Sequence, residues 1–152
     1  LKLGLENPGD GKANVIDTAQ EAAPLIDEIA LETVGLNYDF GNLISHCFEK
    51  VKPEEDYRCA LSQTIHYHVK DVVRHGDGWG FSTIGEGMID YRRILDEIGR
   101  DPRTLPVSLE IPLRVTRAAD ASPIRAGGPV DLHLIRRTLT ESMKFVRQIL
   151  AV

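Results

Sequence analysis

Four residues in this chain share a chemical character and a place in the local pattern: Glu6, Asp39, His68 and Glu110. Each stands at the end of a short run in which apolar and polar residues alternate. Three carboxylates and an imidazole gathered in one place need a reason. Charged groups taken from water without a partner cost several kcal/mol or shift their pKa. A divalent cation supplies the missing charge. An oxygen-rich set with one nitrogen suits Mn²⁺, Mg²⁺ or Co²⁺, and Zn²⁺ stays open. The plainer alternative is an acid network satisfied by Lys2, Lys70 or Arg74.

The alternating runs are the elements that must position these groups. In a strand, residues two apart share a face. The run 1–6 sets Leu1, Leu3 and Leu5 against Lys2, Gly4 and Glu6. The run 33–39 sets Val34, Leu36 and Tyr38 against Gly35, Asn37 and Asp39. In 64–71, Ile65, Tyr67 and Val69 oppose Thr64, His66, His68 and Lys70. In 105–112, Val107, Leu109 and Ile111 oppose Pro106, Ser108 and Glu110. Strands of an ordinary doubly wound sheet are apolar on both faces. One greasy and one polar face instead suit a barrel whose interior does chemistry near its mouth. Parallel strands bring their carboxyl ends to one rim, where α/β barrels build their sites. His66 shares the polar face of His68 one layer deeper. It is expected to hydrogen-bond a substrate hydroxyl or a ligand carboxylate, or else to be a satisfied core histidine.

Helical patterns separate the runs. Residues 18–29 have helical spacing with Thr18 as cap, and Pro24 is expected to kink that helix or mark a late start. Residues 41–50 read as a short helical segment. Residues 53–63 read as a helix with proline first and acids in its opening turn. Residues 90–99 and 130–152 complete the set, and 72–87 and 113–129 read as long loops. The order is strand, loop, helix, four times over, which implies parallel pairing through crossover connections.

Composition agrees with one globular unit over 1–152. Hydrophobic residues make up 42% and charged residues 27%, ordinary for a folded domain. A net charge of −5 gives no basic footprint for a nucleic-acid backbone. No apolar run is long enough for a membrane span. Cys47 and Cys59 do not make a disulfide framework and are expected as reduced thiols in a cytoplasmic protein.

Five stretches in order, "GLEN" (4–7), "LNYDFGN" (36–42), "HYHVKD" (66–71), "IGEGMIDYRRIL" (84–95) and "VSLEIP" (107–112), carry a resemblance. Together they resemble the C-terminal half of the xylose isomerase-like TIM barrels. That superfamily includes sugar-phosphate isomerases and epimerases, inosose dehydratases and endonuclease IV. The resemblance implies an α/β fold, the C-terminal (β/α)4 half of a TIM barrel spanning strands five to eight. It implies Glu6, Asp39, His68 and Glu110 as metal ligands, the same set that strand phase selects. It implies Glu6 and Glu110 as the proton-transferring pair of a sugar isomerase or epimerase working through a cis-enediolate. It also implies a carbohydrate substrate, with Asn42 and Arg74 at substrate-contacting positions. Asn42 stands where ketose epimerases and endonuclease IV carry histidine. With the acidic net charge, this departure disfavours a DNA-repair nuclease. An inosose dehydratase-like lyase, or a non-catalytic half-barrel, stays open. The chain starts on a strand at Leu1 and is expected to be half of a larger barrel. Pairing with a second copy or with a separate N-terminal half is therefore also expected.

Overall fold

The computed structural model describes residues 1–151. The first sheet is parallel throughout and has the order β1-β2-β3-β6. Its strands are β1 (Leu3–Glu6), β2 (Val34–Asp39), β3 (Thr64–Val69) and β6 (Val107–Leu109). Helices follow the strands: α1 (Ala19–Ile29), α2 (Phe40–His46), α3 (Pro53–Asp56), α4 (Tyr91–Gly99) and α5 (Leu132–Leu150). This is a partial TIM barrel, with the strand and helix alternation that the sequence implies.

The apolar faces pack as their phase requires. Tyr38, Tyr67, Leu36 and Val69 are fully buried beneath the helices. Phe40 joins them, edge-on to Tyr38 at 4.8 Å and stacked with Tyr67 at 5.7 Å. Such aromatic pairs add to the burial of their area, and they fix β2 and β3 so that the opposite side chains face the sheet's other side. β1 behaves differently. It pairs only with β2, and Leu3 is 60% exposed while Leu5 packs against the core. A sheet edge has no neighbour to cover its outer side chains.

Several expectations are corrected. The long loops 72–87 and 113–129 hold a second, antiparallel sheet of order β4-β5-β7-β8. Its strands are β4 (Asp71–His75), β5 (Gly78–Ser82), β7 (Val115–Arg117) and β8 (Pro123–Arg125). β4 and β5 are joined by the two-residue turn Gly76-Asp77, with Gly76 at φ +60°. A glycine with positive φ at the first turn position is what a tight hairpin needs. Pro24 lies inside α1 and marks no late start, and the helix begins at the expected Thr18 cap, in a Thr18–Glu21 capping box. The helix expected over 53–63 stops at Asp56 and tightens into a 3-10 turn, Tyr57–Ala60. Asp56 turns inward there, accepting from Ala19 N and Tyr38 Oη. The closing helix ends at Leu150, and Val152 lies outside the described residues.

One irregularity changes the face assignment in β3. The β2–β3 register slips between Leu36 and Asn37, leaving Ile65 as the extra residue of a bulge. Thr64 therefore pairs with Leu36 on the helix side, where its hydroxyl donates to Ala60 O. Simple alternation put Thr64 with the histidines. Beyond the bulge, His66 lies level with Asn37 and His68 with Asp39. The slip brings His68 beside Asp39 instead of one residue out of step.

Candidate metal centre

The strand ends converge. One ligand atom from each of Glu6, Asp39, His68 and Glu110 lies within 4.8 Å of the others. His68 Nδ1 is 3.4 Å from Glu6 Oε1, 3.3 Å from Glu110 Oε2 and 3.8 Å from Asp39 Oδ2. Glu6 and Glu110 come from opposite ends of the parallel sheet, with Asp39 and His68 between them.

Asp39 is held by its own chain. Its Oδ1 accepts Asn42 N at 2.8 Å and caps α2. Its backbone is clamped by Asn7, whose side chain donates to Asp39 O and accepts from Asp39 N. That leaves Oδ2 for the cluster. Lys70 Nζ approaches Oδ2 to 2.8 Å and Glu110 Oε1 to 2.9 Å. The buried Oδ2 thus has a cation, the Lys70 ammonium, as its charged neighbour. A buried carboxylate oxygen turned into the cluster and met by a positive charge fits a cation ligand. The donor set of three carboxylates and one imidazole fits a hard divalent ion.

The charges inside the cluster follow from burial and pairing. Burial pushes the Asp39 carboxyl up to about 6, although Lys70 and the Asn42 amide pull the other way. Burial also acts on Glu110, but Lys70 and His68 outweigh it and hold its carboxyl below the usual range. Lys70 is buried too, and its two carboxylate partners keep it firmly charged. Burial, then His68, lower the His66 pKa.

Of the remaining sequence candidates, Asn42 reaches the cluster. Its Nδ2 donates to Glu6 Oε1 at 3.3 Å and its Oδ1 accepts Lys70 Nζ at 2.9 Å. His66 stands edge-on to His68 at 5.3 Å between ring centres, with its Nε2 2.8 Å from Ser108 Oγ. Arg74 is not drawn in. Its guanidinium pairs with Glu49 at 2.7 Å and lies over Trp79. Three contributors were not singled out as site residues from the sequence. Asn7 gave no signal beyond its place in "GLEN". Asn37 donates to Glu6 Oε2 at 3.2 Å and touches the His68 ring, a role its place on the polar face hinted at. Lys70 was visible only as a neutralising partner. Gly41 makes room for it, since a Cβ there would run into the Lys70 side chain and carbonyl.

A parallel half-barrel that gathers a metal-competent acid cluster at the carboxyl ends of its strands defines a TIM-barrel protein. The chain belongs to the xylose isomerase-like TIM barrel family, whose sequence profile matches residues 1–128. A comparison with curated proteins finds no match. Among solved structures, D-psicose 3-epimerase in the presence of D-fructose superposes with a TM-score of 0.69 at 16% identity. That match covers 100% of this chain and 50% of the epimerase. L-ribulose 3-epimerase superposes with a TM-score of 0.65 at 17% identity, covering 99% of this chain and 48% of that one. A xylose isomerase domain protein from Planctomyces limnophilus gives 0.63 at 17% identity, covering 99% and 46%. The chain thus spans about half the length of the structures it matches. No helix among the described residues is long and apolar enough to cross a membrane.

Proposed function

We propose that this chain carries the metal-binding half of a sugar isomerase or epimerase active site. The observation that carries the reading is the position of Glu6 and Glu110. They come from the two outermost strands of the parallel sheet, and both reach His68 in its middle. Carboxylates flanking one point from two sides suit removal of a proton from one face of a carbon and its return to the other. Two of the solved structures that share the fold are sugar 3-epimerases by description.

Glu6, Asp39, His68 and Glu110 would hold the ion. When bound, a divalent ion supplies Lewis acidity toward a carbonyl and its neighbouring hydroxyl. The chain's residues do the rest. One glutamate accepts the proton alpha to the carbonyl, leaving a cis-enediolate, and the other delivers a proton from the far side. Return to the same carbon inverts it, and return to the adjacent carbon converts aldose to ketose. Acid–base transfer of this kind contributes roughly 10²–10⁴-fold. Asn42 and Asn37 orient Glu6, and Lys70 holds Glu110 ionised. His66, with Ser108 beside it, is placed to meet a substrate hydroxyl.

The test is metal analysis joined to isotope exchange. The chain should bind one equivalent of Mn²⁺ or a related ion, and Asp39→Ala and His68→Ala should lose it. In D₂O, a ketose panel should take up deuterium at the carbon being inverted, and Glu110→Gln should abolish uptake. Absence of stoichiometric metal, or metal binding without exchange in any ketose, sinks the proposal. Loss of water from a polyol without such exchange would point to a lyase on the same cage.

A further inference from the structure

Arg117, the last residue of β7, combines two features that no other arginine of the described residues combines: it has no ion pair and it is not exposed. Arg58, Arg74, Arg93, Arg100 and Arg103 each face a carboxylate within ion-pair distance. Arg117 makes no ion pair among the described residues. It is half-buried, its Nη1 donates to Ala121 O at 3.2 Å, and its Nε is buried with no partner. A guanidinium withdrawn from water without an anion is costly.

Its position gives the gap a meaning. Above Gly9 the Arg117 Nη2 and the Asn42 Oδ1 crowd the same point, which is why no Cβ fits there. Asn42 in turn contacts Glu6 and Lys70. The head of Arg117 thus sits beside the acid cluster without being absorbed by it. Burial lowers its pKa, and Asp10, Asp39 and Glu110 act from a distance to raise it. Asn42 Oδ1 accepts from Lys70, and its nearness to Arg117 Nη2 makes no hydrogen bond between the two. Asp10, the acid that acts on it most, makes no ion pair with it, and the carboxylates of the cluster face Lys70 and His68 instead. The Arg117 guanidinium is therefore left without a direct anionic partner among the described residues.

The geometry points to Arg117 as a specificity-determining residue that receives the anionic end of the substrate, a polyol carrying a carboxylate or a phosphate. This rests on the sugar isomerase or epimerase reading of the same cluster. Guanidinium groups recognise both anions through paired N–H donors, so the shared chemistry is a tetrahedral or planar oxyanion beside the metal site.

The experiment is calorimetric binding to the Mn²⁺-loaded chain of three probes: D-fructose, D-fructuronate and D-fructose 6-phosphate. At least one anionic probe should bind about tenfold or more tightly than D-fructose, the range of one charge-assisted contact. Which anion gains more separates carboxylate from phosphate. Arg117→Gln should bring the anionic-to-neutral ratio to within about twofold, and Arg117→Lys should recover part of it. The lysine variant separates lost charge from lost folding. Arg125→Gln, exposed on β8, should leave the ratio as it was. A wild-type ratio near one, or a ratio unmoved by Arg117→Gln, overturns the role of Arg117 and leaves the sugar reading standing. Failure of all three probes to bind while Mn²⁺ still binds overturns both.

Discussion

Lys70 and Asp39 meet inside the cluster, Nζ to Oδ2 at 2.8 Å, with both side chains almost wholly withdrawn from solvent. The same ammonium spans to Glu110 Oε1 at 2.9 Å. It sets one positive charge against two acids from different strand ends. Removing one partner of a buried pair leaves the other uncompensated, at a cost of about 3–5 kcal/mol. Lys70→Met should therefore destabilise the metal-free chain by about 3 kcal/mol, discounted because Glu110 is partly exposed. The rise in stability on adding Mn²⁺ should be larger in the variant, because the ion becomes the acids' chief counter-charge. Urea unfolding with and without Mn²⁺ measures both. An equal metal response in the two proteins would refute this account of Lys70.

Asn37 connects two ligand side chains, donating to Glu6 and lying 3.2 Å from the His68 ring. Groups that orient ligands commonly change metal affinity by about 10–100-fold when removed. Asn37→Ala should weaken Mn²⁺ binding by about tenfold while leaving one equivalent bound. Titration calorimetry reads this directly. Unchanged affinity would show that the strands alone hold Glu6 and His68 in place.

Asp71 organises the turn after β5. Its carboxylate accepts backbone N–H groups from Val72, Gly85, Gly87 and Ile89 at 2.8–3.3 Å. Burial raises its pKa, and these donors work against that rise. Asp71→Ala strands two buried amides, of Val72 and Ile89, and two part-buried ones, and should cost about 3 kcal/mol. Asp71→Asn keeps one acceptor oxygen and should cost less. Denaturant midpoints for the two variants check the order, and an alanine variant as stable as the asparagine one contradicts it.

The parallel half-barrel and the convergence of four strand ends were legible in the sequence because both rest on period-two alternation. Glu6, Asp39, His68 and Glu110 each sit at the end of an alternating run, and a parallel sheet brings such ends together. The second sheet was hidden by its punctuation. Gly76, Gly78 and Gly80 read as loop residues, although Val72, Trp79 and Phe81 carry a strand pattern. The bulge at Ile65 left no local mark, since a register slip depends on the neighbouring strand. Arg117 was invisible for a similar reason. What sets it apart is partial burial without an acidic partner, near Gly9 and Asn42, residues far from it in sequence.

Away from the cluster, Glu97 ties the 3-10 turn to α4. It accepts from both Arg58 and Tyr57. Arg58 first, then Tyr57, pull its carboxyl from about 4.5 down to about 2. A depressed acid contributes stability that is whole above its unfolded pKa and is lost as pH falls through the folded one. The window here runs from about 4.5 down to about 2. Both side chains are about a third exposed, so the effect is modest and screened by salt. Glu97→Gln cannot form the ion pair at any pH. The wild-type chain should thus be the more stable of the two at about pH 5, and its lead should shrink by about pH 2.5. Thermal midpoints of the two proteins across that range provide the check. A lead that stays constant or grows toward low pH would mean that Glu97 is not held ionised by Arg58.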